Sequence, residues 1–202
     1  KVLADESKEN GISINLGPGG NLHRNILCGR HPEYYSEDPI LTGTLMAYQA
    51  RGLEENGVIA TYKHLIANNM EFERKSAHGI IDENTLRDLY LRVFDKAFSL
   101  YKPGCVMTSY NPVNGIYPCE NSALLNDLLR GEWGFDGFVM TDWGSYDTAD
   151  SIRSVCAGTN LLTPGSKKHF RMILKAVKRN EISKAALQHS VKQIVKVLVR
   201  CI

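Results

Sequence analysis

The sequence predicts a parallel α/β fold, read as the C-terminal portion of a (β/α)8-type barrel, and three observations lead there. Short, continuously apolar runs alternate with longer amphipathic stretches, the pattern of strands covered on both faces by crossover helices. The turn after the first run, Gly17-Pro18-Gly19-Gly20, lacks the spacing of a dinucleotide-binding loop, and Pro18 removes an N–H that a phosphate would need. Five runs, at ~30 residues per strand-plus-crossover unit, fall about three units short of a barrel of ~250 residues. The absent units are expected upstream of Lys1, in keeping with a chain that does not open on methionine.

The elements follow in order. Ile12 to Leu16 is the first strand. Asp38-Pro39 offers an N-cap and a proline at the first helical position, and the helix stops at Asn56-Gly57. Val58 to Tyr62 is the second strand. From Asp82, the residues Leu86, Leu89, Tyr90, Val93, Phe94, Ala97 and Phe98 recur at spacings of three and four on one helical face, ending before Pro103-Gly104. Cys105 to Ser109 is the third strand. Asn121-Ser122 opens a short helix carrying Leu124, Leu125, Leu128 and Leu129, closed by Gly131. Phe138 to Thr141 is the fourth strand and Thr159 to Leu162 a weaker fifth. Phe170, Ile173, Leu174 and Val177 form one stripe, and Ser183 caps a last helix bearing Leu187, Val191, Ile194, Val195 and Leu198.

Composition narrows the function classes. Hydrophobic content of 43% and charged content of 23% over 202 residues describe a globular chain rather than a disordered one. Lys and Arg exceed Asp and Glu by 24 − 22 = +2, so charge gives no ground for a nucleic-acid partner or an anionic membrane. No apolar run reaches the ~18 residues that span a bilayer. The cysteines, Cys28, Cys105, Cys119, Cys156 and Cys201, are odd in number and lack zinc or redox spacings. They read as idle thiols of a reducing compartment, with no metal site expected. That favours the cytoplasm. A secreted or periplasmic location, and with it one disulfide, stays open because a signal segment would precede Lys1.

In such a barrel the loops after the strands build the active face, and each apolar run here ends in unusual polar residues. The second ends in Lys63-His64, the third in Thr108-Ser109-Tyr110-Asn111, the fourth in Thr141-Asp142-Trp143; the loop after the first holds Arg24 and Cys28-Gly29-Arg30. Taken singly, each has an ordinary role. Asp142 would cap a helix, Lys63 would be solvated, His64 a satisfied interior histidine, Tyr110 and Trp143 part of the core, and Arg30 a surface partner of Glu33 or Glu37. Their convergence at successive strand ends points to one shared site. Its chemistry suits a sugar. Lys and Arg donate to hydroxyl oxygens, a carboxylate accepts, and Trp or Tyr covers the apolar ring face. An Asp beneath that ring among cations is expected to have a lowered pKa and stay ionised, ready to attack an anomeric carbon.

Four blocks carry a resemblance to a known family: NLGPGGNLHRNILCGRHPEYYSEDP (Asn15 to Pro39), YKHLIANNMEFER (Tyr62 to Arg74), VMTSYNPVNG (Val106 to Gly115) and LLRGEWGFDGFVMTDWG (Leu128 to Gly144). In this order they resemble glycoside hydrolase family 3, nearest its β-glucosidase-like branch, from about Gly11 to the C-terminus. The resemblance implies a retaining exo-β-glycosidase that removes terminal β-D-glucosyl residues by double displacement. It implies Asp142 as nucleophile, with Arg30, Lys63, His64, Met107 and Tyr110 holding the terminal sugar and Trp143 flanking it or the adjoining aglycone site. No cofactor is implied, since two carboxylates suffice for the mechanism.

The chain departs from the family at His31-Pro32, Tyr35, Leu65 and Met70, near the expected pocket wall. The loop Leu65-Ile66-Ala67-Asn68-Asn69 lacks the Pro-Gly-His of the hexosaminidase branch, which disfavours that activity. In the β-glucosidase-like branch the second catalytic carboxylate comes from an α/β sandwich domain. The expected partners are therefore a β-glucoside or oligosaccharide substrate, the remaining barrel segment and that sandwich domain, across a single partial barrel domain spanning 1–202. Glu71 and Glu73 read as structural or domain-facing rather than as a substitute acid. An incomplete barrel leaves two unpaired strand edges, which should associate with the missing part or rearrange. β-Xylosidase and α-L-arabinofuranosidase activities, and a catalytically silent carbohydrate binder, remain alternatives; Asp142 argues against the last.

Overall fold

The computed structural model describes residues 1–201. Three parallel strands, β1 (Thr61–Leu65), β2 (Cys105–Thr108) and β3 (Phe138–Met140), pair in sequence order. Thr61 aligns with Cys105, and Cys105 with Phe138. Residues on both sides extend this sheet as isolated parallel bridges. Ile14 bridges Ile59, Gly19 bridges Lys63, and Leu161 bridges Met140. The first run therefore pairs over a longer stretch than Ile12 to Leu16, yet irregularly, because Pro18 interrupts the donor row. The fifth run is a single bridge rather than a strand. The second strand lies three residues later than its apolar run, so that Lys63 and His64 sit within it.

The helices begin where their caps place them. α1 (Val2–Glu9), which the sequence pattern did not anticipate, buries Ala4 and Ser7. Asp38 accepts from the Leu41 N–H at 2.6 Å at the head of α2 (Pro39–Glu54). A continuous helix follows Asp82, whose Oδ1 accepts from Thr85 N–H at 3.0 Å. It comprises α3 (Glu83–Thr85), a π-helical stretch (Leu86–Leu91) and α4 (Arg92–Leu100). The segment Ala123–Glu132 is also π-helical and ends one residue beyond Gly131, with Trp133 as its C-cap and Gly134 following at φ +63°. α5 (Ser151–Ala157), a second helix the pattern did not announce, is capped by Asp150 and closed by Gly158 at φ +107°. Ser166 caps α6 (Lys167–Lys178) and Ser183 caps α7 (Lys184–Leu198).

Side chains alternate across β2 and β3, while a register shift between Tyr62 and Leu65 brings both of these β1 residues to one face, and two apolar clusters result. Tyr62, Leu65, Val106 and Val139 face α2, α4 and the 123–132 helix, packing with Met46, Ala50, Phe94, Phe98, Leu125 and Leu129. There α2 approaches α4 so closely that a Cβ on Gly43 would stand 2.4 Å from the Val93 carbonyl oxygen. The opposite face carries a smaller cluster, Ile59, Cys105, Met107, Phe138 and Met140, closed by Val197 of α7. All five cysteines are free. Among the described residues no helix is long and apolar enough to cross a membrane.

Candidate active site

The carboxyl ends of the strands gather the polar residues. Lys63 and His64 belong to β1, Tyr110 follows β2 by two residues, and Asp142 follows β3 by two. Arg30 enters from the 3₁₀ turn His31–Glu33, in the loop after the first bridged segment. Asp142 is 6% exposed and His64 1%. The His64 Nε2 stands 3.4 Å from Asp142 Oδ2 and 3.0 Å from a terminal guanidinium nitrogen of Arg30. One carboxylate, Glu33, joins both cations: one oxygen meets Lys63 Nζ at 2.5 Å and the other meets Arg30 at 2.7 Å. Arg30 thus has the partner its bland reading assigned, in a half-buried setting beside Asp142 rather than on open surface.

Two backbone contacts hold the nucleophile candidate. The Trp143 N–H donates to Asp142 Oδ1 at 2.6 Å, and the Tyr110 hydroxyl donates to the Trp143 carbonyl at 2.6 Å. That hydroxyl has a single proton, so Tyr110 lies beside the carboxylate without donating to it, and Asp142 Oδ2 has no hydrogen-bond partner. Trp143 contributes main chain inward while its indole stays out, the residue being 57% exposed. Arg74, from the loop after β1, stacks over Tyr110 at 4.7 Å from the ring centroid. Lys75 ties the same loop to the β3 loop, at 3.2 Å from the Gly144 carbonyl and 2.7 Å from Asp147.

Burial governs the titration. It pushes Asp142 above the usual carboxylate range, outweighing the Trp143 N–H, Arg30 and Lys63, which all pull it down. The expectation of a lowered pKa is therefore corrected: the cations are present, but the loss of water costs the anion more than they return. Burial likewise depresses His64, and Arg30, Lys63 and Arg74 add to it, leaving a neutral imidazole. Burial and Asp142 push the Tyr110 phenol up to about 12. For Glu33, burial works upward, but Lys63 and Arg30 win and hold it low.

Of the seven residues singled out from sequence, Arg30, His64, Asp142, Tyr110 and Trp143 form one contact network, and Lys63 joins it through Glu33. Met107 stands apart, buried in the cluster closed by Val197. Four participants were not singled out: Asn21, Tyr34, Asn68 and Arg74. Asn21, Tyr34 and Asn68 reach His64 or one another across 30 to 43 residues, a separation that leaves no local pattern. Glu71 pairs with Arg74 at 3.0 Å and approaches Arg30 at 3.9 Å, the structural role expected of it.

Residues 1–197 match the sequence pattern described as the glycosyl hydrolase family 3 N terminal domain. The chain belongs to glycosyl hydrolase family 3. It is 41% identical over 198 residues to the thermostable beta-glucosidase B of Acetivibrio thermocellus, covering 98% of this chain and 26% of that protein. It superposes on beta-glucosidase 3B from Thermotoga neapolitana, solved in complex with glucose, with a TM-score of 0.94, at 40% identity over 99% of this chain and 29% of the other. The glucose complex of the beta-glucosidase from Kluyveromyces marxianus gives 0.92 at 33% identity, over 99% and 24%. The chain thus spans about a quarter of the length of these relatives, and its strands are those of the family 3 barrel domain. Two family 3 departures prove remote from the pocket: Leu65 is buried against the helices and Tyr35 bonds Gln49 of α2. Of the others, His31 stacks on His23 at 4.2 Å and Met70 is exposed.

Proposed function

We propose that this chain carries the nucleophile and the sugar-holding half of a retaining exo-β-glycosidase, acting on terminal β-D-glucosyl residues by double displacement. The observation that carries the reading is Asp142: a buried carboxylate at the end of a barrel strand, one oxygen held by the Trp143 N–H and the other unpartnered among Arg30, Lys63 and His64. The relatives named beta-glucosidase and the two glucose complexes support glucose as the sugar.

In the first step Asp142 Oδ2 bonds to the anomeric carbon while the bond to the aglycone oxygen breaks. That oxygen leaves with the electron pair and takes a proton from a general acid. Water then attacks the glycosyl ester from the face the aglycone left, giving up its proton to the same group, and the sugar departs with retained configuration. The general acid/base belongs to the part of the enzyme that this chain does not span. Burial that raises the pKa of Asp142 also raises the free energy of its anion relative to the neutral ester, and so favours attack. Arg30 and Lys63 donate to sugar hydroxyls, with Glu33 fixing both, while Tyr110 lines the pocket and Trp143 offers an exposed indole to the ring or the aglycone.

A 2-fluoro glucoside with a good leaving group tests this in the full-length protein by intact mass and peptide mapping. A fluoroglucosyl adduct on Asp142 is expected. Turnover of glucosides with the label on another carboxylate would overturn the nucleophile, and absence of both would overturn the glucosidase reading.

A further inference from the structure

Beneath the pocket, Asn21, Tyr34, His64 and Asn68 are each less than a tenth exposed. Asn21 Nδ2 donates to the His64 carbonyl at 2.8 Å, and its Oδ1 accepts from the His64 N–H at 2.9 Å. This pair fixes the amide, because turning it over would set N–H against N–H and oxygen against oxygen. The same Oδ1 lies 3.2 Å from the His64 Nδ1, and an oxygen without a proton can only accept. Arg30, which can only donate, stands 3.0 Å from Nε2 and makes that nitrogen the acceptor, so the proton of the neutral imidazole falls on Nδ1, facing Asn21 Oδ1. The Tyr34 hydroxyl, 3.1 Å from the same nitrogen, is itself held by Asn68 at 3.2 Å. Nε2 keeps its lone pair and accepts from Arg30 at 3.0 Å. Burial, with Arg30, Lys63 and Arg74 nearby, keeps the ring from taking a second proton.

The other tautomer would be harmful here. A proton on Nε2 would face the N–H groups of Arg30 and point at Asp142 Oδ2, which is 3.4 Å away and unpartnered. We propose that Asn21 is a positioning residue for the reaction: by holding His64 as the Nδ1–H tautomer, it keeps a proton off the attacking oxygen of Asp142 and makes Nε2 the acceptor that orients Arg30. The catalytic consequence rests on the nucleophile reading of Asp142; the tautomer does not.

The test is long-range ¹H–¹⁵N correlation on the full-length protein with ¹⁵N-labelled histidine, the His64 signals being those lost in His64→Gln. The expected spectrum shows Nδ1 protonated and Nε2 unprotonated. Asn21→Leu, which removes the acceptor, should bring protonated Nε2 into view and lower kcat at least tenfold. Asn21→Asp, whose charge draws a second proton onto the ring, should reach Nε2–H by another route and lower kcat as well. A wild-type His64 carrying Nε2–H overturns the proposal even if no Asn21 variant folds. So does a folded Asn21 variant with Nε2 protonated and kcat unchanged. Because the imidazole signal does not depend on turnover, Nδ1–H without labelling of Asp142 upholds the tautomer and overturns only the nucleophile reading.

Discussion

The two faces of the sheet are built to different ends. Toward α2, α4 and the 123–132 helix, Tyr62, Leu65, Val106 and Val139 disappear into a large, purely apolar cluster that includes Phe94 and Phe98. On the other face the apolar cluster is small, and past its upper edge the residues turn polar: His64 and Asp142 are as buried as the core, and Arg30, Lys63 and Glu33 are half-buried beside them. One face removes apolar surface from water, which stabilises the fold. The other removes water from charged groups, which destabilises it and prepares chemistry. A parallel strand can serve both ends because successive side chains point to opposite faces.

The largest expected effect lies on the polar face. Asp142→Asn keeps the shape and the acceptor for Trp143 N–H but removes the anion, and glucoside turnover should fall on the order of 10⁴-fold or more. Steady-state kinetics on the full-length enzyme measures this, and residual turnover within tenfold would break the contrast. Across the sheet, Phe94→Ala should cost about 3–5 kcal/mol of stability by leaving a cavity against α2 and β1. Denaturant unfolding measures that cost, with activity per folded molecule unchanged.

A smaller effect is expected at Glu33→Gln, which frees Lys63 and Arg30 from their shared carboxylate. KM should rise roughly tenfold, about 1.4 kcal/mol, with kcat nearly preserved. Because Lys63 and Arg30 hold Glu33 below its ordinary 4.5 against the opposing pull of burial, its stabilising contribution is present above that pH. It is lost only as pH falls through the lowered value, so the stability gap between wild type and variant should close in acid. The smallest effect is a gain. The folded-state pKa of Asp142 stands above 3.8, so the folded protein holds that proton more tightly than the unfolded chain. The ionised carboxylate then costs stability as pH rises from 3.8 through the raised value. Asp142→Asn should therefore melt a few degrees higher than wild type at pH 7, with the advantage gone below about pH 3.8. A scan at both pH values checks the sign.

Much of this arrangement was legible in the residues. Every apolar run became a strand or a bridge, and Asp38, Asp82 and Ser183 cap helices by contacts of short sequence range. The register of β1 was not legible. Its apolar run begins at Val58, but the Gly17–Gly20 turn pairs with residues 61–63 and draws the strand later. The helix at 151–157 escaped notice because its buried positions are Ser151, Ser154 and Ala157, too polar to mark a stripe. In the site, Arg30, Lys63, His64, Tyr110, Asp142 and Trp143 could be named because strand ends announce themselves. Asn21, Tyr34 and Arg74 could not, since their partners lie 30 to 43 residues away in the chain.

By itself the sequence determined the order of the strands and of the helices that carry an apolar stripe, the family, and which charged groups arrive at the strand ends, since these follow from periodicity, caps and motifs read along the chain. Only the tertiary structure decided the sign of the Asp142 shift, the bridging of two cations by Glu33 and the clamp of Asn21 on His64. Each depends on how much water the packed chain excludes and on which distant groups it brings within 3 or 4 Å, and neither quantity is a local property of sequence.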